Sequence, residues 1–164
     1  MPKTRRTTID LWPARLPDDC SAAALRRAAR AALAAADAPP AQISIAIVDD
    51  RDMTRLNRRY LERSGTTDVL SFDLSEPDLG VGDATAQIIV NLDEARRQAS
   101  ARGHSVEGEA ALYVVHGVLH LVGYDDSRPA AARRMHAEED RIMMALGYGT
   151  VYSGRGRRGS SPGV

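Results

Sequence analysis

Residues 106–126 read VEGEAALYVVHGVLHLVGYDD: apolar side chains stand on almost every side of a helix here, with two histidines four positions apart. A helix apolar nearly all round belongs in a core, so 106–121 is expected to be a mostly buried helix. Side chains at i and i+4 lie on one helical face about one turn apart, which lets His116 and His120 aim imidazole nitrogens at one cation. Two unpartnered imidazoles would be poorly tolerated among Ala110, Leu112, Val114, Val118 and Leu121, and a metal would satisfy both. Gly123 supplies the break that ends the helix after Leu121 or Val122 and folds the chain back, bringing Asp126 or Asp125 toward the same ion. Two neutral imidazoles and one carboxylate leave a coordination position open to water, the mark of a catalytic rather than a closed structural site.

Working outward, the alanine-rich residues 21–36, SAAALRRAARAALAAA, form a helix that Pro39 and Pro40 stop. A short strand is expected at 8–11, and ISIAIV at 43–48 reads as a second, with Asp49 and Asp50 as turn and cap before a helix through about Tyr60. Residues 69–74 and 86–90 read as further strands, separated by the polar, glycine-containing loop EPDLGVGD at 76–83. Helices follow at 93–101, 106–121 and 129–146, the last with Ser127 as N-cap, Pro129 in its first turn and Gly147 beyond its end. Early strands alternating with helices and then a run of helices imply an α/β (α+β) layer structure. The expectation is a small mixed four-stranded sheet packed with about five or six helices, with a metal cleft on the HxxxH helix.

The chain has 164 residues, 43% hydrophobic and 27% charged, enough for one domain with a real core. We expect a single domain over 1–152 and a disordered basic, glycine-rich tail over 153–164, SGRGRRGSSPGV. Lysine plus arginine balance aspartate plus glutamate at 22 each, so net charge neither requires nor forbids a polyanionic partner. Basic residues nevertheless gather at Lys3, Arg5 and Arg6, at Arg55, Arg58, Arg59 and Arg63, and at Arg155, Arg157 and Arg158. No apolar run reaches the ~18 residues of a spanning helix, and the first residues lack the hydrophobic segment of a signal peptide. A lone cysteine, Cys20, excludes an internal disulfide framework and is given no role. No membrane partner and a cytoplasmic location are therefore expected.

A zinc protease of the HExxH type would place glutamate after the first histidine as general base, and this chain has Gly117 there. The spacing His116, His120, Gly123, Asp126 otherwise follows the longer metalloprotease pattern with a third ligand after a glycine turn. Glycine moves no proton, so the sequence argues against peptide hydrolysis.

HGVLHLVGYD, TTDVLSFD at 66–73 and EEDRIMMALGY at 138–148 together resemble the YbeY family of bacterial metal-dependent endoribonucleases, in that family's order and spacing. The similarity runs over about residues 43–148 and includes LNRRYL, NLDEARRQA and RGHSVEGE. The resemblance implies an α/β fold, one zinc ion per chain in a cleft, and single-strand RNA cleavage. It also implies a role in maturing the 3′ end of small-subunit ribosomal RNA and in ribosome quality control, with RNA and the small ribosomal subunit as partners.

Carried over by position, His116 and His120 match the first two zinc ligands and Asp126 the third, where the family usually has histidine. A carboxylate oxygen binds zinc at nearly the same distance as imidazole, though two histidines and a carboxylate also suit iron or manganese. Asp125 reads instead as a turn residue or as an acceptor holding a ligand histidine. The family tends to place a cleft-lining arginine where this chain has Leu61. Arg63 first and Arg59 second are the candidates to replace it, against the alternative of a solvated helix face. Thr67 and Asp68 either line the cleft or only cap the turn before a strand. His104 and His136 lack ligand spacing and read as surface or structural residues; Met143 and Met144, with Ile142 and Leu146, read as core; Glu139 matches an acidic position of the family, where it can act behind the ligands. The expected catalytic set is thus His116, His120, Arg63 and Arg59. The competing readings are a catalytically weakened ribosome- or RNA-binding module and a zinc metalloprotease.

Overall fold

The structure is a computed structural model that describes residues 6–75 and 84–150. Its elements are β1 (Thr8–Trp12), α1 (Ala22–Ala35), β2 (Ala41–Val48), α2 (Asp50–Leu61), β3 (Val69–Asp73), β4 (Ala84–Asn91), α3 (Leu92–Arg102), α4 (Val106–Leu121) and α5 (Pro129–Ala145). The loop expected at 76–83, the tail at 153–164 with its arginines, and Lys3 and Arg5 lie outside the described residues.

The four strands form one mixed sheet in the order β1-β2-β4-β3, with β1, β2 and β4 parallel and β3 antiparallel to β4 at the edge. Five helices accompany them among the described residues, so the α/β expectation stands. The elements match the sequence reading to within two residues at each end. β2 and β4 begin earlier than expected because Ala41 pairs with Ala84 and Gln42 with Thr85: neighbouring strands recruit residues whose own strand preference is weak.

Side chains alternate across a strand, and the alternation divides the core. Ile43, Ile45, Ile47, Ile88 and Val90 face one side, together with α1, α4 and α5. Ala46, Leu70 and Ile89 face the other, against Met53 of α2. α4 is the centre of the larger layer: Ala110, Ala111, Val114, Val115, Val118 and Leu119 are fully buried, and the helix packs on α1, α3, α5, β3 and β4. Gly117 permits the close approach to the sheet. A Cβ there would stand 2.7 Å from Ser71 Oγ and 3.1 Å from Ile88 Cγ2. The glutamate of an HExxH site therefore has no room at this position.

One local expectation is corrected. Ser127 is not the N-cap of α5; Arg128 occupies that position without a side-chain cap bond, and Ser127 Oγ donates instead to Asp125 Oδ2 at 2.6 Å. No helix of the described residues is long and apolar enough to cross a membrane.

Candidate metal centre

α4 ends as the glycine signal predicts. Gly123 takes φ +105°, a conformation open chiefly to glycine, while its N–H donates to His120 O at 3.2 Å and that of Tyr124 to Leu119 O at 2.9 Å. The reversal carries Asp126 back over the helix end. His116 Nε2 and His120 Nε2 stand 3.0 Å apart, and Asp126 Oδ2 lies 3.6 Å from each. Asp125 accepts from the Ser127 N–H at 2.9 Å and from its hydroxyl on the exposed surface, the turn role expected of it.

The hydrogen bonds fix what these nitrogens can do. His116 Nδ1 meets the carboxylate of Glu139 at 2.8 Å, and His120 Nδ1 meets the Tyr124 carbonyl at 3.1 Å. Both partners only accept, so both imidazoles carry their proton on Nδ1 when neutral, by inference from this network. Two bare Nε2 lone pairs and a carboxylate oxygen then converge with no donor among them. Such a trio is stable only around a positive charge. A four-coordinate cation bonded at about 2.0–2.1 Å separates its ligand atoms by roughly 3.3 Å, a value the observed 3.0 and 3.6 Å straddle. His116, His120 and Asp126 are half-buried and form the candidate metal-holding group among the described residues.

The surrounding field has the same sign preference. Burial alone would push the His116 pKa down, but the hydrogen bond and charge of Glu139, with the charges of Asp68 and Asp126, hold it above the usual value. Glu139 is fully buried on α5, and its second oxygen lies 3.7 Å from His136 Nδ1. His136 lies outside the converging trio and faces the carboxylate that meets His116.

Asp68 reaches this field because of Asn91, a residue the sequence reading passed over. Asn91 is fully buried at the end of β4. Its carbonyl oxygen caps α3, accepting from the N–H groups of Asp93 and Glu94, and its amide donates to Asp50 Oδ1 (2.8 Å), Thr66 Oγ1 (2.9 Å) and Thr67 O (3.1 Å). Asparagine just ahead of a helical pattern signalled a cap; nothing local signalled that its other end ties down the loop before β3. Asp68 Oδ1 itself accepts from the Val69 N–H at 2.8 Å and from Thr67 Oγ1. It therefore caps the turn while its charge acts on His116.

The arginines are placed differently. Arg59 and Arg63 are exposed at the C-terminal end of α2, where Glu62 adopts a left-handed C-cap. The Arg59 guanidinium lies 5.4 Å from the centroid of the Tyr60 ring, and neither arginine forms an ion pair among the described residues. Neither is among the charges that act on His116, which are all acidic. His104 is exposed, Met143 is core as expected, and Met144 is 60% exposed, contrary to its reading as core, because it falls on the outer face of α5.

A family model described as Endoribonuclease YbeY matches residues 15–147. Proteins named Endoribonuclease YbeY from Anaeromyxobacter dehalogenans (strain 2CP-C) and Anaeromyxobacter sp. (strain Fw109-5) are 42% identical over 143 residues and 45% over 123. These alignments span 87% and 75% of this chain, and 74% and 64% of the two relatives. A relative of the same name from Myxococcus xanthus (strain DK1622) is 38% identical, with 40% of its length covered. The solution structure of TM1509 from Thermotoga maritima superposes with a TM-score of 0.57 over 85% of this chain and 89% of that one; at 20% identity the likeness concerns the fold.

Proposed function

We propose, from the premise that the chain belongs to the YbeY endoribonuclease family, that it hydrolyses single-stranded RNA at the His116, His120 and Asp126 site. The RNA is ribosomal: the chain matures the 3′ end of the small-subunit RNA, takes part in ribosome quality control, and works in the cytoplasm with the small ribosomal subunit as partner. One observation carries the reading. Three acceptor atoms converge 3.0 to 3.6 Å apart, with the two imidazoles oriented by Glu139 and the Tyr124 carbonyl behind them.

The cation is zinc, one per chain, since two imidazoles and a carboxylate at these separations suit a four-coordinate open site. When bound, it supplies Lewis acidity toward a phosphoryl oxygen and a water made nucleophilic near neutral pH. The chain's residues do the rest. Glu139 and the Tyr124 carbonyl hold the two imidazoles in the tautomer and orientation that present Nε2. Asp126 adds the third donor and one negative charge. Gly117 keeps α4 tight on the sheet, so the histidine face does not drift. Arg63 first, and Arg59 second, neutralise the charge that develops on the phosphate as the substrate strand crosses the α2 rim. The sequence spacing shared with zinc proteases has no counterpart base, because position 117 is closed to side chains.

The test is cleavage of a single-stranded ribosomal RNA fragment by metal-depleted protein, before and after adding back zinc, manganese or iron(II), with end-group analysis. Restoration by zinc with 3′-hydroxyl and 5′-phosphate ends is the expected outcome. A 2′,3′-cyclic phosphate would overturn the hydrolytic step, and RNA binding without cleavage under any metal would leave a binding module in its place.

A further inference from the structure

The last two turns of α2 carry a feature that the metal chemistry does not use. Tyr60 is 55% exposed although its ring touches Phe72 edge-to-face, with centroids 5.7 Å apart. The Arg59 guanidinium lies over that ring. Around it Arg58, Arg59 and Arg63 are exposed and without ion pairs among the described residues, with Glu62 as the sole acid between positions 58 and 63. Elsewhere on the same helix the acidic groups are engaged: Asp49 caps the N-terminus, Asp50 is bound by Arg97, and Asp52 lies 3.9 Å from Arg55.

We propose that Tyr60, flanked by Arg58, Arg59 and Arg63, is a stacking platform for an unpaired base of the RNA strand that enters the metal site. The inference rests on the RNA-cleaving reading above and adds the residue that grips the strand beside the reaction. Three observations carry it. An aromatic ring that stays exposed with the Arg59 guanidinium over it, on a helix end rich in free arginines, has the composition of single-strand binding surfaces, in which a ring takes the base and cations take the backbone. The charge is predominantly positive, three arginines against the single Glu62, which fits a polyanion better than a protein partner. The position is also right: β3 is the edge strand, its Phe72 supports Tyr60 on one face, and the adjacent Ser71 packs on Gly117, the neighbour of His116, on the other. The helix that bears the platform and the helix that bears the histidines therefore pack on the two faces of the same edge strand.

The stacking contact requires a π-face and an unpaired base. With the metal-loaded full chain, fluorescence anisotropy of a labelled single-stranded 2′-O-methyl oligoadenylate dodecamer is expected to show binding weakened by about fivefold to about a hundredfold in Tyr60→Leu. Tyr60→Phe and Tyr60→Trp are expected to stay within about twofold of wild type, and a blunt RNA duplex of the same length is expected to bind all of them alike. Leucine binding as tightly as tyrosine would overturn the platform. Should Tyr60→Leu not fold, the added fluorophore of Tyr60→Trp decides: quenching on titration with the dodecamer supports stacking, and unchanged emission refutes it. If wild type cleaves single-stranded RNA and binds the dodecamer but the variants do the same, the platform alone falls. If wild type neither binds nor cleaves, the RNA reading falls with it.

Discussion

The wall that carries the histidines and the rim that carries the arginines are built on opposite principles. On the wall, Glu139 is fully buried, His116 and Asp126 are half-buried, and each imidazole is held from behind by a hydrogen bond. On the rim, Arg58, Arg59, Tyr60 and Arg63 are all exposed, and no arginine of the three is tied by an ion pair among the described residues. Holding a metal demands ligand atoms placed to a fraction of an ångström, which only buried, hydrogen-bonded side chains provide. Gripping a polyanion demands charge, which acts over several ångströms and tolerates a moving side chain. The rim can therefore shift a cation along the helix, and Leu61 between Arg59 and Arg63 is compatible with a site that still works. On the proposed function the wall would accept only a swap of one donor for another.

The largest effect should come from breaking the wall itself. Asp126→Ala is expected to remove most of the bound metal, by elemental analysis of purified protein, whereas Asp126→His retains it because imidazole nitrogen is a donor of similar bond length. Full occupancy in the alanine variant would assign the third position to Asp125 or water. Next, Glu139→Gln leaves the volume unchanged and removes the carboxylate behind His116; metal affinity should fall by about tenfold to a hundredfold, measured by competition with a chelator, with secondary structure unaltered. A variant as tight as wild type would mean that α4 alone orients His116.

Substitution on the rim should leave metal content alone. Arg63→Ala is expected to weaken single-stranded RNA binding by a few-fold and to lower the salt slope of binding by about 0.7, and an unchanged slope would remove Arg63 from the phosphate path. The smallest effect concerns the link that holds α2 to the body. Arg97 hydrogen bonds first, and Asn91 next, pull the Asp50 pKa from 3.8 to about 2. A depressed carboxylate adds stability above its unfolded value, and that contribution is lost as pH falls through the folded one. Asp50→Asn should therefore melt slightly below wild type at neutral pH, and the gap should close as pH drops from about 4 toward 2. A gap independent of pH would show that Asp50 acts through its shape rather than its charge.

Much of this arrangement could be read before any coordinates. The helix of residues 106–121 emerged with its observed ends because an all-round apolar pattern followed by glycine has one physical solution. The histidine pair and the return of the chain at Gly123 were legible for the same reason: they depend on contacts at most ten residues apart. What failed were judgements that need a neighbour from elsewhere. Ser127 looked like a cap and serves Asp125, Met144 looked like core and is exposed, and Asn91, which pins the loop before β3, was passed over.

By itself the sequence determined the strand and helix periods, the central buried helix, the two imidazoles on one face of it and the absence of a protease base after the first. Those follow from rules of local geometry that act within a turn or a strand. Only the tertiary structure decided that Asp126 Oδ2 stands 3.6 Å from both imidazole nitrogens, that Glu139 stands behind His116 from 23 residues away, and that a side chain at position 117 would run into Ser71 of β3. Each of these depends on which distant side chain fills the space beside a backbone position, a property of packing that no local window of sequence contains.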